Sequence, residues 1–149
     1  MILPVDNSVK DLLIPSEIGS VGHASAWLES TCLENDVPES EISRLDLCLN
    51  EALANIIYHN DVARPFTIRL SLAINQNSIA SEAVVTIHDS GKPFDPLSAL
   101  PKSKPKTLAE AEPGGLGILM IRKFSDNQRY RYIEGYNQLS FGCCWPKEP

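Results

Sequence analysis

Two regimes of hydrophobic spacing divide the chain near Pro65. Before it, apolar residues recur at helical intervals, as Ile18, Val21, Ala24, Ala26, Trp27, Leu28 and Leu33 and then as Leu45, Leu49, Leu53, Ile56 and Ile57. The first set predicts a helix over 16–35 and the second a helix from Pro38 to about residue 60. Gly19 and Gly22 weaken the start of the first. The turn Asn35-Asp36-Val37-Pro38 ends it, and Pro38 suits the opening turn of the second. A short strand over 8–14, stopped by Pro15, precedes both. After Pro65 the period falls to two or to short apolar runs, which predicts strands over 66–74, 83–88, 128–134 and 139–145. The last two form a hairpin around Gly135-Tyr136-Asn137, and a helix from Gly115 through Phe124 lies between the pairs. The expected fold class is α+β, a two-layer sandwich of a mixed, mostly antiparallel sheet with helices on one face. Residues 1–149 read as one domain, long enough for a proper core.

One segment fits neither period. Residues 92–113 carry Pro93, Pro96, Pro101, Pro105 and Pro113 interleaved with Lys92, Lys102, Lys104 and Lys106. A loop this long inside a small domain reads either as a functional lid or as a flexible insertion.

Composition narrows the function classes. Hydrophobic residues are 43% and charged residues 21%, an ordinary globular balance. No run approaches the roughly 18 apolar residues of a membrane span, and Met1 to Asp6 lacks the features of a signal peptide. The net charge of −6 argues against direct nucleic-acid binding. Cys32, Cys48, Cys143 and Cys144 form no CxxC pair, and the adjacent two should point to opposite faces of a strand. They read as free thiols in a reducing cytoplasm rather than as a zinc site or disulfide framework.

Three islands could carry chemistry. In the second helix Glu51 and Asn55 stack one turn apart, with Tyr58 beside them. An acid beside an amide oxygen suits a metal ion or a proton transfer, and the same spacing also suits a solvated stripe. In the second, a strand ends in Asp89-Ser90-Gly91. A carboxylate there can accept a hydrogen bond from an exocyclic amine such as that of adenine, and Gly91 would let the backbone approach a flat ligand. A plain strand-to-turn Asp-Ser-Gly is the competing reading. The third, Gly114-Gly115-Leu116-Gly117 at the start of a helix, offers backbone N–H groups to a phosphate, or is a glycine hinge. It is not a Walker A loop.

In this order, Glu-x-x-x-Asn, Asp-x-Gly-x-x-Phe-Asp and Gly-Gly-x-Gly, the islands resemble the GHKL (Bergerat-type) ATP-binding superfamily. Within it, Leu49 to His59 and Gly114 to Asp126 are similar to the stand-alone serine kinases that act as anti-sigma factors in bacterial partner switching. The resemblance implies an ATP site with Asn55 on Mg²⁺, Glu51 as general base, and Asp89 on the adenine amine beside Gly91. It also implies that Gly115, Leu116 and Gly117 lie along the phosphates and that residues 92–113 form the lid. The implied activity is ATP-dependent serine/threonine kinase action on an antagonist of the sigma factor. The implied partners are that antagonist, a sigma factor or other regulator, and a second copy in a homodimer. Pro113 stands where some members carry a phosphate-reaching arginine, and Lys92-Pro93 where many have a second glycine nearby. Lys102, Lys104 or Lys106 could supply the missing charge. The alternatives are a nucleotide-gated module that sequesters a regulator without kinase activity, the ATP-binding half of a histidine kinase, or a domain without nucleotide.

Overall fold

Alternation of inward and outward side chains runs the length of the central strands. The computed structural model describes residues 6–60, 64–77, 79–97 and 115–146, which form five strands and three helices. In β2 (Thr67–Gln76) the buried positions are Ile68, Leu70, Leu72 and Ile74, and in β3 (Ala80–Asp89) Ser81, Ala83, Val85, Ile87 and Asp89. In β5 (Tyr136–Pro146) they begin Asn137, Leu139, Phe141, Cys143. With β1 (Asp6–Pro15) and β4 (Asn127–Ile133) the sheet order is β1-β2-β3-β5-β4. All four pairings are antiparallel, so the mixed component expected from the sequence is missing among the described strands. The reason lies in the connections. Two successive helices separate β1 from β2, and two passes return the chain in the opposite direction.

Helices α1 (Ser20–Glu34), α2 (Glu39–His59) and α3 (Gly115–Phe124) complete the α+β fold. The first starts four residues later than its apolar spacing suggests. Ser16 is held at the sheet instead: its N–H donates to the Phe66 carbonyl at 2.8 Å and its Oγ accepts from Phe66 N at 2.8 Å. The turn to α2 closes as a Schellman motif, with Val37 N to Cys32 O at 3.0 Å and Asp36 N to Leu33 O at 3.3 Å. Asp36 takes the left-handed conformation this requires, φ 58°. Leu45, Leu49, Leu53 and Ile57 of α2 are buried against the sheet side.

Arg44 of α2 fastens the far end of α3. Its Nε donates to the Phe124 carbonyl at 2.8 Å and its second nitrogen reaches Asp126 Oδ1 at 2.9 Å. The other Asp126 oxygen accepts from Cys144 N at 2.7 Å. That backbone bond, followed by the Arg44 contact, holds the Asp126 carboxyl below its ordinary range despite some burial. Cys143 points inward and is buried, whereas Cys144 is half-buried on the other face, and all four cysteines are free. Burial pushes the Cys32 and Cys48 thiols up to about 12, which leaves them inert at neutral pH. Among the described residues no helix is long and apolar enough to cross a membrane.

Leu70 is fully buried in the core, whereas Ile79 is exposed. Leu70→Ala is expected to lower unfolding free energy by about 2–5 kcal/mol. Ile79→Ala should change it by less than about 0.5 kcal/mol. Urea midpoints of the two variants test the layer assignment.

Candidate functional site

The side of α2 that carries Ala52, Asn55, Ile56, His59 and Asn60 forms one wall of a cavity of about 250 Å³. Those positions follow the helical period i, i+3, i+4, i+7, i+8. The sheet contributes Asp89, Asn137, Leu139 and Tyr130, α3 contributes Ile121, and the segment after β3 contributes Lys92, Pro93, Phe94 and Pro96. The lining is mostly apolar with a few converging polar groups, the usual make-up of a small-molecule site.

Asn55 is the most telling of them. It is 5% exposed, and among the described residues neither its Oδ1 nor its Nδ2 has a hydrogen-bond partner. A buried amide without partners costs about 1–3 kcal/mol. A group left bare at that cost inside a cavity points to a ligand that supplies the missing bonds.

Asp89 lines the same cavity from the last inward position of β3 and is 4% exposed. Its Oδ1 accepts from Gly91 N at 2.9 Å and from Asn137 Nδ2 at 3.1 Å. Among the described residues no donor reaches Oδ2, which leaves that oxygen free as an acceptor. Burial pushes the carboxyl above its ordinary value, with the Asn137 and Gly91 bonds pulling the other way.

Asn137 is the residue that sequence reasoning missed. Its Nδ2 also lies near the carbonyls of Gly91 at 3.2 Å and Lys92 at 3.0 Å, and its Oδ1 accepts from Phe94 N at 3.1 Å and from Tyr130 Oη. One side chain therefore ties together Gly91, Lys92 and Phe94. Its apparent place in a Gly-Tyr-Asn turn concealed it. The turn is in fact Glu134-Gly135, with φ of 53° and 85°, and β5 begins at Tyr136. The usable signal was period two: Asn137 alternates in phase with Leu139, Phe141 and Cys143.

Asn60 joins α2 to the same segment. Its Nδ2 donates to the Ile56 carbonyl at 2.7 Å, and its Oδ1 accepts from Lys92 N at 3.3 Å. A Cβ on Gly91 would collide with the Asn60 amide. The small residue at 91 therefore also clears the end of α2. The His59 and Phe94 rings stack beside this junction with centroids 5.1 Å apart.

The remaining nominated residues are placed as follows. Glu51 is half-buried one turn before Asn55 and is not among the cavity-lining residues. Tyr58 is 64% exposed, so Ala52, Ile56 and His59, rather than Tyr58, share the Asn55 face. Gly115 opens α3, with Leu116 and Gly117 in its first turn. The Leu116 side chain and residues 98–114, including Lys102, Lys104, Lys106 and Pro113, lie outside the described residues. Among the described residues no cluster of three or more His, Cys, Asp or Glu could hold a metal by itself. A cation here would take Asn55 Oδ1 and draw its other oxygens from a bound ligand, as Mg²⁺ does with phosphates.

The bare amide on α2 and the strand-end carboxylate line one largely apolar cavity, and the family match makes this an ATP-binding, kinase-type domain. The chain belongs to the histidine kinase-like ATPase domain family, which it matches over residues 14–142. It is also similar to the serine/threonine-protein kinase BtrW of Bordetella bronchiseptica. The two are 31% identical over 115 residues, covering 76% of this chain and 78% of that protein.

Asp89→Asn separates recognition from folding. Burial raises the folded-state pKa of Asp89, so the stability tied to its protonation is present below the ordinary aspartate value of about 3.9 and is lost as pH rises through the raised value. The amide removes that loss and keeps Oδ1. The variant is therefore expected to match or exceed wild-type stability at neutral pH, with the gap closing in acid. Its ATP affinity should fall by roughly tenfold or more, because a donor replaces the acceptor Oδ2. Urea titrations across pH with ATP calorimetry check both. Full ATP affinity would show that the Asp89 carboxylate does not contact the nucleotide.

Proposed function

We propose that this protein is an ATP-dependent serine/threonine kinase acting as an anti-sigma factor, its acceptor a hydroxyl on an antagonist protein. The observation that carries the reading is the buried amide of Asn55, without a partner among the described residues, lining one cavity with the Asp89 carboxylate. The likeness to a serine/threonine-protein kinase over most of both chains supports transfer to a hydroxyl rather than ATP binding alone.

In this reading Asp89 Oδ2 accepts the adenine amine, and Ile56, Ile121 and Leu139 cover the base. Asn55 Oδ1 serves Mg²⁺, which when bound neutralises phosphate charge. Gly115 to Gly117 offer backbone N–H groups to the phosphates. Glu51 takes the acceptor hydroxyl's proton as its oxygen bonds to the γ-phosphorus and the bond to ADP breaks. Residues 92–113 close as the lid, beginning from Lys92 to Pro96 on the cavity rim. Four free thiols fit a reducing cytoplasm.

One observation favours a second reading. Glu51 is absent from the cavity lining, which suits a nucleotide-gated module that sequesters a regulator without transferring phosphate.

Incubation with labelled ATP, Mg²⁺ and candidate antagonist domains from the same genome decides between the two. The kinase reading expects label on a serine or threonine, lost by about 10²–10⁴ in Glu51→Ala with ATP affinity kept. Tight ATP binding with no transfer to any candidate would establish the binder, and label on histidine would mark half of a histidine kinase.

Asn55→Ala should weaken Mg-ATP binding by about 2 kcal/mol, the scale of a lost charge-assisted contact, and leave metal-free ATP binding nearly unchanged. Equal losses with and without Mg²⁺ in calorimetry would remove the metal role.

A further inference from the structure

The sheet face turned away from the helices has its own chemistry. Strand register lines up Ser71, Thr86, Ser140 and Arg129 in one row across β2, β3, β5 and β4. It lines up Arg69, His88, Gln138 and Arg131 in the next. Between the rows runs a groove of about 240 Å³. Three arginines thus gather on one side of a chain whose net charge is −6.

Asp11 and Glu82, the acids on the outer face of the strands, are already engaged, while Glu134 lies in the turn between β4 and β5. Asp11 accepts from Ser71 Oγ at 2.7 Å and meets Arg69 only at 3.7 Å. Glu82 accepts from Asn127 Nδ2 at 2.8 Å and from Cys144 Sγ at 3.3 Å. Arg131 spends its Nε on Gln138 at 2.9 Å, and among the described residues Arg129 has no ion-pair or hydrogen-bond partner. His88 is held below its ordinary pKa by burial and then by Arg69, in keeping with a positive surface. Exposed apolar side chains flank the arginines: Val9 and Leu13 on β1, and Ile133 and Tyr136 beside the last turn. Arginine and tyrosine with apolar neighbours are the composition of a protein interface.

We propose that this outer face is a docking surface for an acidic segment of a partner protein, whose carboxylates meet Arg69, Arg129 and Arg131 while its apolar side chains meet Leu13 and Tyr136. Charge complementarity selects the occupant. A nucleic acid would need a longer basic stripe than these three arginines make. The surface lies across the sheet from the nucleotide cavity, so it is a second site, and its occupancy does not depend on whether the chain transfers phosphate.

The test uses the full chain, with a short labelled peptide of alternating glutamate and leucine as probe. Fluorescence anisotropy should show binding that weakens with salt. Affinity is expected to fall by about tenfold in R129Q/R131Q, the scale of two exposed ion pairs, while ATP binding, the check on folding, stays unchanged. In ¹H–¹⁵N spectra the peptide should shift amides of the outer-face rows. No binding of the peptide, equal affinity for the double variant, or stronger binding of a single-stranded oligonucleotide would each overturn the proposal. Shifts confined to the nucleotide cavity would overturn it too.

Discussion

The register that sets Ala83 against Cys143, Val85 against Phe141 and Ile87 against Leu139 also sets Asp89 against Asn137. From Ala83 and Cys143 onward the inward positions of both strands are apolar until the last pair, where a carboxylate meets an amide. A slip of one residue would turn every inward side chain outward, so the forces that bury the core also deliver this polar pair to the site. Asp89 could not be held in so dry a place without partners, and Asn137 with the Gly91 N–H supplies them. The same amide then shapes the segment from Gly91 to Phe94, which forms the cavity rim.

On the opposite wall, α2 divides its circumference between two tasks. Leu45, Leu49, Leu53 and Ile57 bury it in the core, while Ala52, Asn55, Ile56, His59 and Asn60 face the cavity. The two stripes overlap in length, so the helix cannot rotate to hide Asn55 without losing apolar burial. That constraint keeps an amide in the interior with none of its bonds made among the described residues, at a cost that the packing of the rest of the helix offsets. The Lys92 N–H to Asn60 bond then ties the end of α2 to the strand-end segment.

The sheet's two faces divide along the same alternation. Residues in phase with Ile87 and Leu139 build the core and the cavity, and those in phase with His88 and Gln138 build an open surface where arginines outnumber unengaged acids. A strand pattern of period two therefore encodes two surfaces at once.

Periodicity alone determined much of this protein. The change of spacing at Pro65, the apolar stripe of α2 and the alternation in β3 place three helices and five strands to within a few residues, because burial of apolar faces dominates folding. The resemblance of three short islands pointed to the nucleotide-binding superfamily, since Asp89 and Asn55 each lie within a distinct local motif. Tertiary structure decided the rest. That Asn137 belongs to the site follows from strand pairing across 48 residues, which no local pattern carries, and its neighbours Gly135 and Tyr136 read as a longer turn. That Gly91 sits against the Asn60 amide depended on where the end of α2 comes to rest. The gathering of Arg69, Arg129 and Arg131 required the register of four strands. Hydrophobic spacing is a local property, whereas the partners of a buried polar group are set by chain segments that meet only in the folded molecule.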